Sequence, residues 1–262
     1  MRIFIFLYLI LTILNADRRS LTNQDYLELT SEEKEFIRNH PIINFSDVDW
    51  KPFSNVNEGP YNGIFRSYYN EIEKITGLKF SFKKIGDGKD FKVVLAALKN
   101  KQIDMIDGTG KTKDRENYAL FAGPFMQVSL GIASLRNNIL TNLESLRYKK
   151  IAIASGSTAY EFIKANDNNI EVIVTSSFDE ALDSLANRKV DAVIDNLVVL
   201  DYGIQNNNYS NIQLTKIDNY DFKIYSLIRD DYPLLQSIIQ KSIDYIRSQE
   251  KIKINNTIIN NA

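Results

Sequence analysis

The sequence has no cysteine and one histidine, His40. A disulfide, a thiolate metal site and a cysteine nucleophile are therefore excluded, and any serine–histidine–aspartate triad would have to draw its base from His40. Glycine (11) and proline (5) are sparse, which excludes collagenous and low-complexity chains. No charge of either sign dominates: 32 Lys and Arg face 33 Asp and Glu, so no positive field exists to gather nucleic acid or an anionic membrane. No apolar run reaches the roughly 20 residues a spanning helix needs. What is present is a 44% apolar share with 14 Phe and 14 Tyr in 262 residues, enough for one large domain or two lobes with their own cores.

The start of the chain reads as an address. After Met1-Arg2, the twelve residues Ile3–Leu14 are apolar, and Asn15-Ala16 precede polar sequence, the pattern of an exported protein cleaved after Ala16. No cysteine follows to carry a lipid. Residues 1–16 are thus expected to be a signal peptide and 17–40 a linker with a short helix. That helix opens on the capping-box pattern Thr30-Ser31-Glu32-Glu33 and ends before Pro41.

Strand and helix patterns then alternate. Ile42–Ser46 reads as a strand. Ile64, Tyr68, Ile72 and Ile75 recur at helical spacing before Gly77, and 78–82 alternates like a strand. Residues 95–106 match residues 182–193 at a constant offset of 87, each a helix end, a polar turn and an apolar strand. A strand–helix unit precedes each copy, which points to two similar lobes. The strand Phe222–Ile228 and the helix opened by Pro233 lack a partner in the second half and are assigned to the first. The expected fold is α/β: two mixed, mainly parallel sheets flanked by helices, with lobe one at 41–130 plus 222–262, lobe two at 131–221, and crossings near Ser129–Ala133 and Tyr220–Lys223. In such sheets ligands sit beyond the carboxyl ends of the strands.

Three constellations fall at those ends. Gly108, Thr109 and Gly110 follow a strand, Thr112 caps the next turn, and Arg115 offers a planar fork suited to a carboxylate. By spacing alone the favoured reading is a polar turn with Arg115 in solvent, since small-residue turns of this sort are common. It is not a P-loop. Ser155-Gly156-Ser157-Thr158 leads into a helix, with Thr158 and Glu161 in capping-box relation, and its free amides form either an anion seat or an ordinary cap. Asp47, Asp49, Trp50 and Phe53 lie on the loop after the first strand, and Asp195-Asn196 end a later one. These aspartates suit an ammonium group and Trp50 a wall, or the loop simply packs on its lobe. His40 reads as a surface histidine.

Taken in order over residues 30 to 250, these positions resemble the extracellular solute-binding proteins of the polar amino-acid type, with the two-lobed periplasmic type II fold. The resemblance rests on Asp47-Val48-Asp49-Trp50-Lys51-Pro52-Phe53, Thr112-Lys113-Asp114-Arg115 with Phe121-Ala122-Gly123-Pro124-Phe125, Ser155-Gly156-Ser157-Thr158 and Asp191-Ala192-Val193-Ile194-Asp195-Asn196. It implies Arg115 as the ligand-carboxylate arginine and Ser157 and Thr158 as further carboxylate donors. Two positions depart from the pattern: Asn196 stands where an aspartate usually meets an α-ammonium, and Gly110 where a hydroxyl is common. Asp195 or Asp47 would then supply the missing charge. The segment Leu29–Pro41 also resembles the start of solute-binding sensor domains of bacterial sensor kinases.

The resemblance implies a monomeric periplasmic protein without cofactor or metal, which closes its cleft on a small carboxylate-bearing ligand such as an amino acid. It would deliver the ligand to an ABC-transporter permease. Two rivals remain: a sensory module for a separate receptor, and an exported enzyme similar to the cyclohexadienyl dehydratases, for which Asp195, Asp107 or Asp47 would be the cleft acid.

Overall fold

The computed structural model describes residues 27–166 and 169–248. The expected signal peptide, the start of the linker and the tail 249–262 of the expected first lobe lie outside these residues. Helix α1, Ser31–Asn39, opens on the capping box: Thr30 Oγ1 accepts from the Glu33 amide, and Glu33 accepts from the Thr30 amide. Strand β1 (Ile42–Ser46) follows, then α2 (Ile64–Thr76), which ends on left-handed Gly77 at φ 83°. Next come β2 (Lys79–Phe82), α3 (Phe91–Lys99), β3 (Met105–Gly110), the single turn α4 (Lys113–Glu116) and the 17-residue β4 (Ala119–Leu135). Beyond a 3-10 turn at Glu144–Leu146 lie β5 (Lys150–Ala154), α5 (Thr158–Asn166), β6 (Glu171–Thr175), α6 (Phe178–Ala186), β7 (Ala192–Asn196) and α7 (Leu197–Asn206). The 18-residue β8 (Ile212–Arg229) and α8 (Pro233–Ser248) complete the order.

The strands run β2-β1-β3-β8-β4-β7-β5-β6. Each half has a parallel core, β2-β1-β3 or β6-β5-β7, and the antiparallel pair β8 and β4 stands between them. Two separate sheets are expected from the sequence; the ladder is continuous because β4 and β8 are long enough to serve both halves. The expected crossings fall inside these two strands, where their register shifts between Ser129 and Gly131.

The internal repeat is physical. Helices α3 and α6 begin 87 residues apart, as do β3 and β7. The turns between them share their geometry: Lys101 and Arg188 both take the left-handed conformation at φ 59°. Asp104 accepts from the Asn44 amide as Asp191 does from the Lys150 amide, so each tethers its helix–strand turn to the central strand of its own half.

Helix α8 buries Leu235, Ile238, Ile239, Ser242, Ile243 and Ile246, the face its spacing predicts, and packs on α1, α2 and β4. His40 is partly buried. Its ring stacks on Phe36 at 4.4 Å and meets the edge of Tyr232 at 5.5 Å, because the residue after α1 is drawn under the start of α8. Glu33 is also buried there, accepting from Ser237 Oγ (2.7 Å) and Lys241 Nζ (2.8 Å). Glu33→Ala removes the side-chain acceptor of the Thr30 amide and of Ser237, and leaves the Lys241 ammonium with the Glu28 carbonyl but without its counter-charge. The expected loss is about 2–3 kcal/mol, or roughly 5–10 °C in Tm; an unchanged melting curve would show that this junction contributes nothing.

Candidate functional site

A cavity of about 50 Å³ lies where the carboxyl ends of the two parallel cores face each other. Asp47, Asp49 and Trp50 reach it from the loop after β1, Gly108 and Thr109 from β3, Ser157 and Thr158 from the start of α5, and Asp195 from β7. Both halves therefore build one wall each.

The halves touch directly. Trp50 Nε1 donates to Asp195 Oδ1 at 3.2 Å, and Thr158 Oγ1 accepts from the Gly110 amide at 3.2 Å. Arg115 makes the third junction and is fully buried. Its Nη1 donates to Thr109 Oγ1 (2.6 Å), the Gly110 carbonyl (2.5 Å) and Thr158 Oγ1 (3.2 Å). Nη2 donates to the Gly156 carbonyl (2.7 Å) and lies 3.5 Å from Glu161. Burial pushes the guanidinium's pKa down, and Glu161 opposes that shift. Only Nε lacks a partner among the described residues.

This placement differs from the expected one. Arg115 does not line the cavity; it clamps backbone carbonyls and a hydroxyl of both halves. Thr112 stays behind it, accepting from the Arg115 amide at 3.4 Å as the cap of α4. Thr158 was expected to cap the following helix, but Ser157 does so by accepting from the Tyr160 amide (3.2 Å). That frees Thr158 for Arg115 and Gly110, and Glu161 turns to the guanidinium. Asn196 is buried away from the cavity and caps α7 by accepting from the Val198 amide. Phe53 lies beneath the wall, with its ring 4.9 Å from Trp50 and 5.6 Å from Phe65. Gly110 lies outside the lining and sits so close to Thr158 that a Cβ there would be 2.5 Å from its hydroxyl.

Three acids are sealed in this region. Asp47 is 1% exposed and Asp195 4%, and Asp107 is fully buried behind the cavity. Burial pushes Asp47 up to about 8; its bond from the Val48 amide only partly offsets this, and Asp49 adds to the rise. Asp107 is raised well above the usual range by burial and then by Asp47, which lies one step beyond the paired positions of β1 and β3. Burial raises Asp195 to about 6, against the bonds from Trp50 and the Asn196 amide. Oδ2 of Asp47 and both carboxyl oxygens of Asp107 have no partner among the described residues.

Val48 and Ser155 line the wall from within the sequence motifs without being expected site residues, and Lys89, Phe91, Ala154, Ala159, Phe178 and Phe222 join them from outside those motifs. Phe91 and Phe178 had a findable signal, because each is the first residue of its helix and they are related by the same offset of 87. Phe222 lies within β8 and carries no local pattern.

The buried acids make stability depend on pH. Each keeps its proton in the folded state at pH values where the unfolded chain, with aspartates near pKa ~4, has lost it. Folding is therefore disfavoured progressively as pH rises from about 4 toward about 8. The melting temperature should fall by several degrees between pH 5 and pH 8. Asp107→Asn should flatten that slope; an equal slope in both proteins would mean that Asp107 ionises freely.

Among the described residues no helix is long and apolar enough to cross a membrane. No curated protein sequence matches the chain. Solved structures of similar fold include the VFT2 domain of the Bordetella pertussis protein BvgS, at TM-score 0.77 and 18% identity over 88% of this chain and 98% of that one. Another is a histidine kinase sensor domain with similarity to periplasmic binding proteins (TM-score 0.74, 19% identity, 84% and 94% covered). A third is holo ArgBP from T. maritima (TM-score 0.72, 19% identity, 86% and 98% covered). These share the two-lobed periplasmic-binding-protein fold. The sequence model of the bacterial extracellular solute-binding proteins, family 3, matches residues 42–256, and the chain belongs to that family.

Proposed function

We propose that this protein captures a small polar solute, an amino acid or a related metabolite, between its two halves and presents the closed form to an ABC-transporter permease in the cell envelope. The observation that supports this best is a cavity walled by both halves, lined by the buried carboxyls of Asp47 and Asp195, with one oxygen of Asp47 unpartnered among the described residues. A group that bonds to both walls favours the closed arrangement by its differential affinity for that state. Trp50–Asp195, Gly110–Thr158 and the Arg115 clamp are the contacts that opening would break. In this reading the protein binds and transforms nothing, so a ligand recovered from it is chemically unchanged.

A thermal-shift screen of the exported chain against amino acids, amines and small carboxylates tests the proposal. A true ligand at 100 times its Kd adds about 2.7 kcal/mol, or roughly 5–10 °C, and small-angle scattering should show compaction. If no compound shifts the melt or the scattering, the reading fails. Disrupting the gene should abolish uptake of the hit; unchanged uptake would remove the transport role. Gly110→Ala puts a methyl group against Thr158 and should hold the halves apart, weakening the hit at least tenfold while leaving each core folded.

A further inference from the structure

The proposal of a solute-binding cleft leaves open what part of the solute is recognised, and the charges around the cavity bear on that. Asp47 lines it with one oxygen bonded to the Val48 amide and the other unpartnered, on a residue 1% exposed. Asp195 lines it from the opposite half and is 4% exposed. A buried carboxylate without a partner is costly, and the group that relieves the cost is a cation with hydrogens to donate. Trp50 and Phe91 from the first half, Phe178 from the second and Phe222 from the crossing strand β8 complete the wall. Aromatic faces attract cations and repel anions.

Arg115 has no donors to spare for a ligand carboxylate. Both terminal nitrogens are bonded to protein oxygens, and Nε alone cannot make the paired contact a carboxylate prefers. The side chain is outside the cavity wall. Lys89 is the one cationic side chain in the lining; it is exposed at the rim, where water and salt screen it. The start of α5 offers amides with a partial positive charge, enough for a hydroxyl or carbonyl oxygen, while Asp47 faces the cavity from the other half and Asp195 from its own.

Resting on the cleft-binding reading, we propose that the recognised group is a small organic cation, an alkylammonium or guanidinium held between Asp47 and Asp195 within the aromatic wall, and that a carboxylate on the ligand is dispensable. Amines that lack a carboxylate are then ligands in their own right.

The test is calorimetric titration with matched pairs: agmatine against arginine, cadaverine against lysine, and glutamate and succinate as anions. At least one amine without a carboxylate should bind as tightly as its amino-acid partner or more tightly, and neither succinate nor glutamate, whose net charge is negative, should bind. Asp47→Asn should weaken that amine at least tenfold, with Asp218→Asn, exposed and outside the cavity lining, as the control of smaller effect. Both variants are checked for native melting curves; if Asp47→Asn does not fold, Asp195→Asn takes its place. A cation beside Asp47 also drives its proton off, so binding near pH 7 should release protons, seen as a dependence of heat on buffer. The groups facing Asp47 in that titration are Asp49 on its own loop, Asp107 on β3, Tyr69 on α2, Asp195 on β7 and Lys89 before α3. Tighter binding of arginine and lysine than of agmatine and cadaverine by tenfold or more overturns the proposal, as does binding of succinate or glutamate. Failure of every probe also overturns it; a different hit in the broader screen would leave the binding cleft itself standing.

Discussion

The closed arrangement depends on a guanidinium buried between two halves of one chain. An arginine without solvent must find acceptors for its hydrogens, and Arg115 finds them on both sides: Thr109 and Gly110 at the end of β3, and Gly156 and Thr158 at the turn into α5. The bonds are charge-assisted, and breaking one side of them would leave the cation unpaired in a poorly solvated place. The two turns therefore stay in register with each other, and the cavity between Trp50 and Asp195 keeps its shape. Glycine at 110 and 156 follows from the same constraint. Gly110 leaves room for Thr158, and Gly156, at φ 70°, brings its carbonyl to the arginine with its Cα against the start of α3.

Behind the cavity the electrostatics are reversed. Asp47 and Asp107 are next to each other on adjacent parallel strands, both deeply buried, with three of their four carboxyl oxygens unpartnered among the described residues. A pair like this weakens folding as the pH rises. The cavity thus has an internal division, with the arginine clamp against one turn and the acids along the neighbouring strand ends.

Much of the architecture was legible. The apolar face of α8, the glycine stop of α2 and the capping box of α1 follow from spacing and cap chemistry that act within a few residues. The repeat of 87 placed two helix–strand units correctly because each is tethered by the same aspartate and the same left-handed turn. The site was legible in its parts and less so in their assembly. Asp47, Trp50, Gly108, Thr109, Ser157, Thr158 and Asp195 come together at one cavity. The direction of Arg115 was not readable, since it depends on carbonyls that another segment brings within 3 Å. Whether Ser157 or Thr158 caps α5 turns on one residue of phase, and Asn196 points away for the same reason: successive residues at a strand end face opposite sides. The continuous ladder through β4 and β8 was missed because a strand that changes neighbours halfway has no sequence signature where it does so.

The offset of 87 has a consequence for whatever occupies the cleft. Two near-copies bring Phe91 and Phe178, equivalent by that offset, into one cavity wall, so the two rings by themselves do not distinguish the halves. The loop after β1 and the turn after β5 break that equivalence, one carrying carboxylates and the other the positive pole of a helix. An occupant of the proposed cleft would therefore meet unlike groups on its two sides.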